Sequence, residues 1–83
     1  MCKGVLRVRV KLDKTMIEFY QQQLEYAAEK QREMRAAREM YKAKAYLEDE
    51  PALVMTFVAR AELANDAYLF WTSQIASIRS KLN

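Results

Sequence analysis

The sequence predicts a mainly α-helical fold, in which a short N-terminal β-strand precedes a long antiparallel helical hairpin. Apolar and basic residues alternate over positions 5–12, which is the two-residue repeat of a strand. Two later stretches, 15–48 and 51–81, repeat apolar residues at steps of three and four, which is typical of helices that pack on each other. With 83 residues, the chain is expected to form a single domain, 1–83.

The predicted strand has one apolar face and one basic face. Its apolar side chains are Leu6, Val8, Val10 and Leu12, and its basic side chains are Arg7, Arg9 and Lys11. An isolated strand leaves its backbone hydrogen-bonding groups unpaired, and no other segment alternates in this way. We therefore expect the strand to pair with the same strand of a second molecule. The chain is predicted to be a dimer or larger homo-oligomer, held through the strand and through helix faces.

The first predicted helix begins at a capping box, in which Thr15 and Glu18 would satisfy free N–H groups reciprocally. No Gly or Pro interrupts the chain from there to residue 48. A stripe at steps of three and four runs along it and is apolar at all but two positions. Its members are Ile17, Tyr20, Leu24, Ala27, Gln31, Met34, Arg38, Tyr41 and Ala45.

The second predicted helix begins at Pro51, which suits the first turn of a helix and disfavours helix at the residue before it. The acidic residues 48–50 complement the positive N-terminal end of this helix. Its stripe consists of Val54, Phe57, Ala61, Ala64, Tyr68, Trp71, Ile75, Ile78 and Leu82. Two long helices joined by a short turn fold back antiparallel, with facing position numbers that sum to about 99. Arg38 would then face Ala61, with room for its guanidinium to extend outward into solvent.

Composition argues against an enzyme and against a metal or cofactor site. The chain has no His and a single Cys, so it lacks the usual general base and the common ligands of a zinc site. Its carboxylates are dispersed, and no apolar run approaches the length of a membrane span. The single Cys cannot form an internal disulfide, so a reducing cytoplasm is the expected location, and no membrane partner is expected. Basic charge is concentrated at the N-terminus, where residues 1–14 hold five basic residues and one acidic residue.

Apolar residues outside the two stripes indicate an interaction surface, because a two-helix hairpin has only one seam in which to bury them. They are Phe19, Tyr26, Met40, Tyr46 and Leu47 in the first helix, and Leu53, Val58, Leu69 and Phe70 in the second. Phe70 is the best interface candidate of the cluster that it forms with Tyr68 and Trp71, since those two lie on the stripe. Arg7, Arg9 and Lys11 are candidate nucleic-acid contacts, because a paired β-ribbon can enter the DNA major groove. The alternative, which we favour, is a solvated strand face whose charges protect the edge of the sheet.

Residues 45–60 read Ala-Tyr-Leu-Glu-Asp-Glu-Pro-Ala-Leu-Val-Met-Thr-Phe-Val-Ala-Arg. This segment resembles the gene five-point-five protein family of T-seven-like phages, which carries a similar Met-Thr-Phe-Val-x-Arg string downstream of an alternating strand. The family has a Gly-containing break in its middle, which residues 16–47 lack, and the chain after Arg60 also differs. The candidate partner-binding residues are Met55, Val58 and Arg60 in this segment, together with Phe70.

The resemblance implies a small phage-type inhibitor that acts in a bacterial host cell. It would bind a host nucleoid-associated protein such as the histone-like nucleoid-structuring protein H-NS, and block its silencing of DNA or its assembly. Two alternatives stay open from the residues themselves. One is a ribbon-helix-helix-like DNA-binding transcriptional regulator, and the other is a structural helical assembly protein.

Overall fold

The computed structural model of the protein describes residues 13–83, which form two helices packed as a hairpin. Helix α1 spans Lys14–Leu47 and helix α2 spans Pro51–Leu82, and three residues connect them. The predicted helical hairpin is therefore confirmed. The predicted strand 5–12 and the dimer contacts assigned to it lie outside the described residues and stay predictions.

The N-cap of helix α1 lies two residues before the predicted one. The Met16 backbone N–H donates to Asp13 Oδ1 at 2.8 Å, so Asp13 is the N-cap and Thr15 already lies inside the helix. The prediction of Thr15 as the cap was wrong. Asp is at least as good a cap as Thr, and starting at Asp13 adds backbone hydrogen bonds such as that from Ile17 N–H to the Asp13 carbonyl oxygen at 3.1 Å.

Replacing Asp13 by alanine is expected to lower the free energy of unfolding by about 1 kcal/mol, because the Met16 N–H loses its acceptor. Thermal unfolding followed by circular dichroism measures the change. Thr15→Ala is the matched control and should stay within about 0.5 kcal/mol of the parent, since Thr15 is exposed and inside the helix. If Thr15→Ala lowers the free energy of unfolding more than Asp13→Ala does, Thr15 rather than Asp13 is the N-cap.

Local hydrogen bonds order the acidic connection between the helices. The Glu50 backbone N–H donates to Glu48 Oε2 at 3.1 Å, and the Glu48 N–H donates to the Ala45 carbonyl oxygen at 3.4 Å. Pro51 occupies the first turn of α2, where its missing N–H leaves no helical hydrogen bond unmade. These contacts fold the chain back within three residues.

Both predicted stripes meet in the seam between the helices, and every one of their residues is buried or half-buried. The most buried side chains are small or aliphatic: Ala27, Ala61, Ala64 and Ile75. Small residues allow the two helices to approach closely. Tyr41 stacks on Phe57 with ring centroids 6.4 Å apart, which confirms the predicted pairing of these two positions.

The two polar members of the first stripe bridge the helices. The Arg38 guanidinium donates to Asn65 Oδ1 at 2.8 Å and lies 5.0 Å from the Tyr68 ring centroid. Arg38 Nε also donates to Oε2 of the exposed Glu39 at 2.9 Å, so the guanidinium extends out of the seam past the small residue that it faces, as predicted, and finds one acceptor on each helix. Gln31 Nε2 similarly donates to the Thr72 hydroxyl at 2.9 Å. Both contacts favour one register of the hairpin over others.

Candidate protein-binding face

One side of the hairpin carries most of its exposed large apolar side chains, and we name it the apolar face. Four of its five α1 members are seven or fourteen residues apart, which keeps them on one side of the helix, and the fifth lies three residues before the first of them. Its α2 members recur in the same way from Leu63 to Phe70. The apolar face consists of Met16, Phe19, Tyr26, Met40 and Leu47 from α1, and Leu53, Leu63 and Phe70 from α2.

Ring contacts show that the two rows lie on the same side of the hairpin. The Trp71 ring meets Tyr26 of α1 edge-on at 5.6 Å and Phe70 of α2 edge-on at 5.0 Å, measured between ring centroids. Trp71 itself lies in the seam and is half-buried. The three rings thus form a continuous aromatic cluster that extends from the seam onto the apolar face.

The apolar face is large enough to be a binding surface. Its eight side chains are between 39% and 78% exposed, with Leu47 and Leu63 the most exposed. A helix of 34 residues is about 50 Å long and about 10 Å wide, so two helices side by side present roughly 1,000 Å². A standard protein–protein interface covers about 800 Å² on each partner. One whole side of the hairpin, which includes the apolar face, therefore offers the area that a specific complex needs.

Four cations lie over aromatic rings on this side of the hairpin. Lys30 Nζ lies 5.4 Å from the Tyr26 ring centroid in the same helix. The other three reach across the seam to a ring of the other helix. Lys44 lies 5.8 Å from Phe57, Arg60 lies 5.9 Å from Tyr41, and Lys81 lies 5.8 Å from Tyr20. Glu33 shares the row of Tyr26 and Met40, so four cations and one carboxylate make this face basic.

The opposite side of the hairpin is more polar, and we name it the groove face. Val58, Asn65 and Thr72 follow one another at intervals of seven residues there. A groove of about 870 Å³ opens near the connection between the helices. Its floor is formed by small and aliphatic residues such as Ala61 and Val54. Its walls hold Arg38 and Lys42 from α1, and Glu62 and Asp66 from α2.

The structure divides the candidate residues between the two faces. Phe70 lies on the apolar face and Arg60 reaches across the seam on the same side, whereas Val58 lines the groove. Met55 lies one helical turn before Val58 and seven residues before Glu62 of the groove wall, which places it on the groove face. The four candidates therefore do not form one site. Sequence reasoning missed Met16 and Leu63, although the seven-residue step from Leu63 to Phe70 would have indicated the second. Arg7, Arg9 and Lys11 lie outside the described residues.

The described chain offers little basis for other kinds of site. Within residues 13–83, no three Cys, His, Asp or Glu side chains are grouped so that they could hold a metal ion. Neither α1 nor α2 has a stretch that is both long and apolar enough to cross a bilayer. Comparisons with protein-family models, with curated proteins and with solved structures find no match for this chain. The function is therefore inferred from the apolar face and from the resemblance of residues 45–60.

Proposed function

We propose that this protein is a non-enzymatic binding module that docks its apolar face against a helical protein. The observation that carries the proposal is the concentration of eight exposed large apolar side chains on one side of the hairpin. Six of them follow a seven-residue spacing, at which helices pack on one another, so a helical surface is the natural complement. The opposite face carries four such side chains, which are Tyr46, Met55, Val58 and Leu69.

Residues 45–60 resemble the gene five-point-five protein family of T-seven-like phages. This resemblance supports a host nucleoid-associated protein such as H-NS as the partner. An inhibitor of a protein that assembles through helices needs an apolar helical surface that competes for the same contacts. Arg60, at the end of the resembling string, places its guanidinium over the Tyr41 ring on the apolar side. We propose that binding blocks the assembly of the partner and thereby relieves its silencing of DNA.

Isothermal titration of purified H-NS with the full chain tests the proposal. We expect saturable binding together with a shift of H-NS to smaller species in analytical ultracentrifugation, because the apolar face would replace contacts between H-NS molecules. A DNA duplex in a parallel titration is the control. Tight, salt-dependent binding to the duplex without binding to H-NS would contradict the proposal and favour a DNA-binding protein.

The DNA-binding alternative depends on Arg7, Arg9 and Lys11. Residues 13–83 contain ten basic and eleven acidic residues, so no basic surplus extends beyond the N-terminal segment. Replacing Arg7, Arg9 and Lys11 together by alanine separates the two functions. We expect partner binding to persist with a slower and less salt-sensitive association. If the triple variant loses binding to DNA and the parent protein does not bind H-NS, the DNA-binding alternative is established.

A further inference from the structure

We infer that a second copy of this chain covers the apolar face when no other partner is bound, with the two hairpins antiparallel. The inference rests on the proposed function only in that both partners would compete for the same face. One whole side of the hairpin offers roughly 1,000 Å², against about 800 Å² on each partner of a standard interface. The orientation is drawn from the order of residues along the face, whose polarity is the same in both directions.

The α1 row of the apolar face has the same polarity when it is read from either end. Glu33 stands at the centre of the row. The exposed side chains of Tyr26 and Met40 lie seven residues to either side of it, and those of Phe19 and Leu47 lie fourteen residues to either side. Two such rows that run in opposite directions therefore set apolar residues beside apolar residues along their whole length.

The α2 row has its midpoint at the same level of the hairpin. Leu63 and Phe70 are exposed on this row, and the midpoint between them falls between positions 66 and 67. The side-chain contacts across the seam join position numbers that sum to between 97 and 103, which places Glu33 beside residues 64–70. One two-fold axis perpendicular to the helices therefore serves both rows, and it brings Leu63 of one copy to Phe70 of the other.

The charged residues of this side also fit the antiparallel arrangement. Lys30 and Glu33 lie 3.5 Å apart beside the axis, so Lys30 of each copy can also pair with Glu33 of the other. The two ion pairs across the interface add to the exposed pair within each helix, which by itself contributes little. The other three cations fall opposite uncharged residues: Lys44 opposite residues 22–23, Arg60 opposite residues 73–74, and Lys81 opposite residues 52–53.

A parallel pair of hairpins fits the charges less well. In that orientation α1 of each copy would lie over α2 of the other, so Glu33 would face residues 64–70, which contain no Lys or Arg. Both carboxylates would then be covered with no cation from the opposite copy, which is unfavourable.

Nucleic acid and a lipid bilayer also suit the apolar face less well than a second copy does. Phe19, Tyr26 and Phe70 carry exposed rings on which bases could stack. The other five large side chains of the face are Met or Leu, which have no ring to stack but pack well between helices. Glu33, at the centre of the face, would be brought against the phosphates of a nucleic acid or the acyl chains of a bilayer.

Crosslinking of the full chain tests the position of the axis. Ala67 lies between Leu63 and Phe70 on the apolar side, so Ala67→Cys in a Cys2→Ser background places the only thiol of each copy beside the axis. We expect a short bis-maleimide to join two copies, and excess H-NS to suppress the reaction. Ala76→Cys, seven residues after Leu69 on the other side, is the matched control and should stay uncrosslinked.

A charge swap tests the ion pairs across the axis. Sedimentation equilibrium measures the dissociation constant of the dimer. Glu33→Lys should weaken the dimer by at least about 10-fold at low salt, because it sets Lys30 of one copy against a lysine of the other. Adding Lys30→Glu restores opposite charges on both sides of the axis, so the double variant should return to within about 3-fold of the parent.

The outcomes separate this inference from the proposed function. A monomeric parent that still binds H-NS would overturn the inference alone, whereas the expected dimer without binding to H-NS would overturn the proposed function alone. A dimer that crosslinks through Ala76→Cys, or that Glu33→Lys leaves unchanged, would overturn the antiparallel arrangement. Crosslinking through Ala67→Cys that persists while H-NS is bound would overturn the competition. A monomer that binds phosphatidylserine vesicles or single-stranded DNA, and loses that binding in Phe19→Ser with Phe70→Ser, would also overturn the inference.

Discussion

Replacing Trp71 by alanine is expected to lower the free energy of unfolding by about 3–5 kcal/mol. The indole lies in the seam and makes edge contacts with Tyr26 of the other helix and Phe70 of its own. Each aromatic contact adds roughly 0.5–1.5 kcal/mol beyond the area that it buries. A chain of this size rarely has more than about 3–5 kcal/mol of stability from its core, so the variant should be largely unfolded at 37 °C.

Urea unfolding followed by circular dichroism at 222 nm measures this loss. Tyr46→Ala is the control, because Tyr46 is 88% exposed and its removal should change stability by less than about 0.5 kcal/mol. If Trp71→Ala unfolds at the same urea concentration as the parent, Trp71 contributes nothing to the seam and belongs instead to the binding surface.

Replacing Ala27 by glutamate is expected to abolish the folded hairpin. Ala27 is 1% exposed, the lowest value among the described residues that form the core. A longer side chain cannot fit between the helices there, and a buried, unpaired carboxylate costs several kcal/mol. Since the whole hairpin is only marginally stable, we expect the variant to lose its cooperative unfolding transition.

Ala36→Glu isolates the effect of burial, because Ala36 lies on the same helix but is exposed. Both variants introduce the same residue and the same charge, so their helix propensities match. The control should unfold within about 0.5 kcal/mol of the parent. A folded Ala27→Glu protein with a transition equal to that of the control would mean that α1 and α2 do not pack through this position.

The helical hairpin was predictable because both stripes keep the steps of three and four over nine positions each. Tyr41 and Phe57 meet as the predicted register requires, since a single Pro after an acidic run leaves few ways to connect the helices. The spacing placed Gln31 and Arg38 in the seam, but it did not predict which side chains of the other helix they would hydrogen-bond. Their hydrogen bonds depend on side-chain directions at Thr72 and Asn65, which spacing alone does not determine.

The candidate site was predictable only in part. Off-stripe residues such as Phe19, Tyr26 and Phe70 indicated a binding surface, but a list of spare apolar residues does not show which side of the hairpin each one occupies. The faces become distinct only when the helices are paired, which separates Phe70 from Met55 and Val58. The four cations that lie over rings on the apolar side could not be foreseen, because three of the four rings belong to the opposite helix.

The affinity for H-NS of two matched double variants tests most directly whether the apolar face binds the partner. Phe19→Ser with Phe70→Ser removes side chains that are 49% and 53% exposed on the apolar face. Met55→Ser with Leu69→Ser removes side chains that are 73% and 54% exposed on the other side. We predict that the first pair weakens binding by about 100-fold and that the second stays within about 3-fold of the parent. Equal losses, or a larger loss for the Met55 and Leu69 pair, would contradict the assignment of the apolar face.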